Sequence, residues 1–158
     1  MYDDKSFFPT LEDIQNPLPP SELERLLEEY QNESPNVSIQ TKFNLAWGLI
    51  KCNATSEQKK GLDLLIKIYA EAPGRRRECL FYLALGSFKL GDYTASRGYC
   101  NALLKLEPEN VQIAELKTQI EKKLNKEGLM GMAIVGGAAA AVGITATLLG
   151  VFLGNRRR

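Results

Sequence analysis

Three cysteines, Cys52, Cys79 and Cys100, are the soft nucleophiles of this 158-residue chain, and no histidine accompanies them. Without imidazole there is no Ser-His-Asp or Cys-His catalysis, no H-E-x-x-H zinc site and no histidine pH switch. The cysteine count is odd and no C-x-x-C occurs, which argues against a disulfide framework or a zinc ribbon; reduced core thiols are predicted at all three positions. No phosphate-cradling G-x-x-x-x-G-K-[ST] is present either. No nucleophile–base pair remains, so the chain reads as a non-enzyme without metal or cofactor. What remains is recognition chemistry. Phe43, Leu45, Ala46, Trp47, Leu49 and Ile50 crowd one stretch, and Leu80, Phe81, Tyr82, Leu83, Leu85 and Phe88 crowd another. Both are apolar nearly all round, whereas a surface helix needs one apolar stripe. One face packs inside a domain; the other needs a cover, since large exposed apolar patches mark interaction sites.

The elements that would position these residues are helices. No run alternates with period 2 long enough to argue a strand. The prolines at 9, 17, 19 and 20 predict an extended arm over residues 1–20, with Phe7, Phe8, Leu11 and Ile14 as apolar teeth. Ser21 and Glu24 have capping-box spacing, and Leu23, Leu26, Leu27 and Tyr30 share one helical face. Ser38 is predicted to cap the next helix, and Thr55 with Gln58 the one after. Pro73-Gly74, the "GDY" turn and Pro108 punctuate the rest. In the final amphipathic helix, Ile113, Leu116, Ile120 and Leu124 share a face.

Two helix pairs repeat. "NLAWGLIK" (44–51) aligns with "YLALGSFK" (82–89), and "GLDLLIKIY" (61–69) with "SRGYCNALL" (96–104). The offsets are 38 and 35, the difference of three being extra turn in the first pair, and a helical hairpin repeating near 34 residues is the tetratricopeptide period. Two repeats leave two end faces exposed, so the helices at 21–31 and 109–126 are predicted to cap them. The first helix of each hairpin lines the concave surface in this architecture. That places Phe43, Trp47, Ile50, Phe81, Leu85 and Phe88 in a groove, with Lys51 and Lys89 at its edge. The groove suits a partner helix or an extended peptide. Burial of this whole surface by the capping helices is the alternative.

Charge is divided along the chain. Residues 1–35 carry a balance of −7 and residues 36–127 one of +5. An acidic arm with apolar teeth beside a basic body predicts that the arm lies along the groove, competing with a partner or forming part of its site. "GRRRE" (74–78) reads as a solvated helix start or as a dock for acidic groups. Cations oppose the dipole at a helix N-terminus, so the cluster is not there for helix stability. A basic stripe interleaved with stacking aromatics is missing, which argues against nucleic acid.

Residues 128–154 hold no charge, 7 Gly and 6 Ala. As a helix they would span about 40 Å, enough to cross a hydrocarbon core of about 30 Å. Lys122, Lys123 and Lys126 before the stretch and Arg156, Arg157 and Arg158 after it give both ends snorkelling cations. With four residues beyond it, the stretch is expected to insert after translation as a tail anchor, leaving residues 1–127 in the cytosol. The N-terminus lacks a secretory signal, and a matrix transit peptide would be Arg-rich where this one is acidic. Gly150 and Gly154 form G-x-x-x-G, and Ala133, Gly137 and Ala141 continue small-x-x-x-small spacing; a homo-oligomer through the span and a monomeric anchor both fit. The expected plan is an arm at 1–20, a helical domain at 21–127, an anchor at 128–154 and a basic tail at 155–158.

In this order, "NLAWGLIK", "RRRECLFYLALGSFKLGDY" and "GLMGMAIVGG" with a basic terminus resemble the mitochondrial fission 1 family, and "FFPTLEDIQNPL" is similar to its fungal branch. The resemblance implies a six-helix, all-α, tail-anchored receptor on the outer mitochondrial membrane and on peroxisomes. It further implies recruitment of a dynamin-related GTPase, in fungi through a WD-repeat adaptor, with arm and groove both touching adaptor segments. A chaperone- or import-docking receptor is the rival reading. It is disfavoured because Phe43, Trp47 and Tyr82 stand where a carboxylate clamp places Lys or Asn.

Overall fold

The computed structural model describes residues 9–127, and every described element is helical. In chain order these are α1 (Leu11–Gln15), α2 (Pro20–Glu33), α3 (Ile39–Lys51), α4 (Thr55–Glu71), α5 (Arg76–Leu90), α6 (Tyr93–Leu106) and α7 (Val111–Lys126), with a single 3₁₀ turn at Pro73–Arg75. Seven helices thus replace the expected six. The additional one is α1, inside a segment expected to be extended. Thr10 accepts from the Asp13 backbone N–H, while the Asp13 carboxylate accepts from the Thr10 backbone N–H at 2.7 Å. This reciprocal cap satisfies the first-turn donors, and it holds the Asp13 carboxyl below its usual pKa. The helix stops at Gln15, before the Asn16-Pro17 pair, because a residue preceding proline is pushed to extended backbone.

Two further expected caps differ. α2 begins at Pro20 with Pro19 at the N-cap, so Ser21 lies inside the first turn and caps nothing. A proline at the first helical position already has helical φ and lacks the orphan N–H that a cap would serve. α4 begins at Thr55 with Ala54 at its N-cap, and Gln58 instead donates from Nε2 to the Cys52 carbonyl at 2.8 Å. Ser38, Asp92 and Asn110 do cap α3, α6 and α7, each accepting a backbone N–H of the first turn. Gly91 ends α5 with φ +89°, a left-handed turn that a Cβ would strain.

α3/α4 and α5/α6 form two stacked hairpins, with α2 packed on α3 and α7 packed on α6. α4 also packs on α5, which joins the hairpins into one core. Ile50, Leu65, Ile68, Leu83, Leu103, Ile113, Ile120 and Leu124 are fully buried there. The predicted stripe of α7 is therefore the one that packs, Leu116 included. On α2 the stripe is narrower than expected: Leu26 is buried while Leu27 is exposed. Close helix approach depends on small residues. A Cβ at Gly61 would lie 2.7 Å from the Ala46 carbonyl oxygen, and Ser96 donates its hydroxyl to the Ala84 carbonyl at 2.6 Å.

Cys79 and Cys100 are core thiols, and burial pushes each up to about 12. Cys52 departs from expectation. It is half-exposed at the end of α3, its thiol directed to the Gly48 carbonyl. Partial burial raises the Cys52 thiol as well, so at pH 8 a water-soluble thiol reagent is expected to modify Cys52 slowly, and the other two only as the domain opens. Both buried thiols are protonated when folded. Their contribution is fully present below the unfolded pKa near 8.5 and is lost as pH rises towards 12, at about 1.4 kcal/mol per pH unit per thiol. A urea midpoint that rises between pH 9 and 11 would contradict this.

Candidate functional site

α3 and α5 lie side by side on the concave face, and aromatic side chains tie them together. Tyr82 of α5 stands edge-on to Phe43 at 4.7 Å and to Trp47 at 4.9 Å between ring centroids. Such T-shaped pairs contribute about 0.5–1.5 kcal/mol each beyond area burial. The Arg75 guanidinium lies 5.1 Å from the Phe43 ring, and the Lys51 ammonium 5.8 Å from the Trp47 ring. Trp47 and Tyr82 remain half-exposed, whereas Phe43 is buried.

The arm lies on this face. α1 packs against both α3 and α5, with Ile14 fully buried and Leu11 against the core. Phe81 and Leu85 are each 1% exposed, and they floor a cleft of about 300 Å³ between the arm and α7. Residues 9–12 form one wall of that cleft; Gln112, Glu115, Leu116 and Gln119 of α7 form the other. Sequence reasoning placed α7 only as a cap. Three of its four cleft residues, Gln112, Glu115 and Gln119, are polar, so no apolar stripe marked this face.

The other expected groove residues divide. Ile50 is not in the groove. It is fully buried behind it, filling the space beside Gly61 and Gly86 where α4 and α5 meet α3. Its position differs because α3 is buried on more than one side, so apolar character alone could not separate groove from core. Phe88 stands apart from the Phe43–Trp47–Tyr82 cluster, half-exposed and edge-on to Tyr93 of α6 at 5.2 Å. Lys51 sits beside Trp47 as a rim residue. Lys89 is turned inward: its ammonium donates to the Ile14 carbonyl at 2.9 Å and the Lys51 carbonyl at 2.6 Å. Phe7 and Phe8 lie outside the described residues.

The arginines of "GRRRE" are half-buried and engaged within the domain instead of freely solvated. Arg75 pairs with Glu78 and donates to Gln40 of α3. Arg76 donates to the Tyr69 carbonyl at 3.0 Å and covers the Tyr69 ring. Arg77 pairs with Glu107 at the end of α6, holding that carboxyl below its usual pKa. The three arginines fasten the start of α5 to three different neighbours, a role invisible in sequence because the partners lie up to 35 residues away.

Lys122, Lys123 and Lys126 occupy the exposed end of α7. The candidate span 128–154 and Arg156, Arg157 and Arg158 lie outside the described residues, among which no helix is long and apolar enough to cross a membrane.

Comparison with known proteins agrees with this architecture. Residues 40–72 match the Fis1 N-terminal tetratricopeptide repeat, and residues 77–129 the Fis1 C-terminal tetratricopeptide repeat. The mitochondrial fission 1 protein of Yarrowia lipolytica is 48% identical over 98% of both chains. That of Saccharomyces cerevisiae is 42% identical over 96% of this chain and 97% of its own. A crystal structure of yeast Fis1 in complex with an Mdv1 fragment containing N-terminal extension and coiled coil domains superposes with TM-score 0.75 at 44% identity, covering 78% of this chain and 98% of that one. Yeast Fis1 complexed with a fragment of yeast Caf4 gives TM-score 0.58 at 45% identity, covering 60% and 98%. Two stacked hairpins, both repeat models and near-full-length identity converge on one conclusion: this chain belongs to the mitochondrial fission 1 protein family.

Proposed function

We propose that this chain is a membrane receptor that recruits the organelle-fission machinery through its concave face. The observation that carries this reading is the cleft between the arm and α7, floored by Phe81 and Leu85 of α5, together with the Phe43–Trp47–Tyr82 cluster that joins α3 to α5. The relatives crystallised with Mdv1 and Caf4 fragments support an adaptor as the direct partner. In this reading a WD-repeat adaptor binds the groove, and a dynamin-related GTPase is brought in behind it and supplies the constriction. Residues 128–154 anchor the chain in the outer mitochondrial membrane and in peroxisomes, with the helical domain cytosolic and Lys122, Lys123, Lys126 and Arg156–Arg158 flanking the span. Anchoring raises the effective concentration of the groove at the membrane, so a weak site suffices. The carboxylate-clamp alternative is disfavoured by Lys89, whose ammonium answers two backbone carbonyls.

The test is a titration of residues 1–127 with an adaptor fragment of the Mdv1 kind. Trp47→Ala is expected to weaken binding on the order of 30-fold, about 2 kcal/mol, as a half-exposed aromatic in the α3–α5 cluster. Phe88→Ala is expected to weaken it less, since Phe88 lies apart from the aromatic cluster. Unchanged affinity in both variants overturns the groove as the partner site.

A further inference from the structure

Lys89 was expected at the rim, where an ammonium would greet a partner. Instead it reaches two backbone carbonyls that belong to two different helix ends, Ile14 in α1 and Lys51 in α3. Terminal carbonyls have no partner within their own helix. Neither is met by the residue that follows: the Asn16 N–H turns to Asp13 and the Cys52 N–H to Leu49. One ammonium has three donors and no acceptor, so it can serve both carbonyls at once. It also lies in the last turn of α5, where a cation is favoured by the helix dipole. Three helix ends thus converge on a single charge.

We propose that Lys89 is a clamp that holds α1 in the concave face, making it a positioning residue for the partner site and not itself a partner contact. α1 has five residues, far short of the roughly 12–15 an isolated helix needs to persist in water. Its position therefore depends on tertiary ties: the apolar burial of Leu11 and Ile14, and the tie from Lys89 that crosses from α5 to the α1 backbone. Residues 9–12 form one wall of the cleft, so the cleft keeps its shape only while the clamp is closed. The consequence for binding rests on the reading of this face as the adaptor site; the clamp itself does not.

Hydrogen exchange on the full-length chain in lipid nanodiscs tests it. Lys89→Met keeps the length of the side chain and removes the charge. It is expected to accelerate exchange of residues 10–16 on the order of tenfold or more, as for loss of a charged hydrogen bond, while residues 99–103 of α6 exchange as before. Lys89→Arg, which keeps charge and donors, is expected to stay near the unsubstituted protein. Unchanged exchange at 10–16 in Lys89→Met overturns the clamp. So does equal acceleration in α6, which would make Lys89 a support of the whole fold. Adaptor titration of the same proteins separates the two claims: accelerated α1 exchange with unaltered affinity keeps the clamp and removes the arm from the partner site.

Discussion

Ile14→Ala is expected to lower the stability of the helical domain by about 2–5 kcal/mol, the usual range for truncating a buried isoleucine. The lower end is expected here, for a structural reason. Ile14 is fully buried, yet it is carried by a five-residue helix tied to the rest by few contacts. When its side chain is cut back, α1 can leave the groove instead of spanning a cavity. The loss is therefore bounded by the free energy with which residues 9–16 dock. Urea unfolding of the single variant and of a chain lacking residues 1–16 measures both numbers. A larger loss in Ile14→Ala than in the deletion would show that α1 is not separable from the core. Undocking also exposes Phe81 and Leu85, each 1% exposed in the intact protein. Binding of a hydrophobic dye should rise in step with the loss of stability.

Gly61→Ala is expected to destabilise, although the same change in an exposed helix interior gains about 1 kcal/mol. The added methyl would lie 2.7 Å from the Ala46 carbonyl oxygen, 2.8 Å from Cγ1 of Ile50 and 3.0 Å from the Ile50 nitrogen. Two of these neighbours are backbone atoms of α3 and cannot rotate away. Separating α3 from α4 would also disturb Ile50, which packs beside Gly86 as well. The cost expected for such overpacking is about 1–3 kcal/mol, and more for Gly61→Val. Gly74→Ala is the control: no heavy atom lies within 4 Å of a Cβ there, and a change within about 0.5 kcal/mol is expected. Thermal or urea unfolding of the three variants checks the order. Equal effects at Gly61 and Gly74 would contradict the close crossing.

Much of this molecule is legible without coordinates because helical periodicity is a local property. The stripe of Ile113, Leu116, Ile120 and Leu124, the Ser38 cap and the stops at Pro73-Gly74 and Pro108 each follow from residues within a few positions of one another. The repeat offset led from there to paired hairpins. Where local signals competed, the reading failed. Four prolines predict an extended arm, while the Thr10–Asp13 capping box within it starts α1. A serine after two prolines looked like a cap, though Pro20 had already begun the helix.

The groove shows the boundary most clearly. Sequence alone determined that α3 and α5 are too apolar to be ordinary surface helices, that the chain has no imidazole chemistry, and which family it resembles. It also singled out Phe43 and Trp47 as groove candidates, and the structure joins both to Tyr82 in one aromatic cluster. Only the tertiary structure decided that Ile50 turns to the core, that α1 and α7 wall the cleft, and that Lys89 binds backbone carbonyls 75 and 38 residues away. The physical reason is that a helix buried on several sides has no single stripe to read. Which apolar residue meets a neighbour and which meets solvent depends on crossing distances set by small residues such as Gly61 on other helices. A lysine's ammonium goes where unpaired carbonyls converge, and helix ends converge only once the helices have packed.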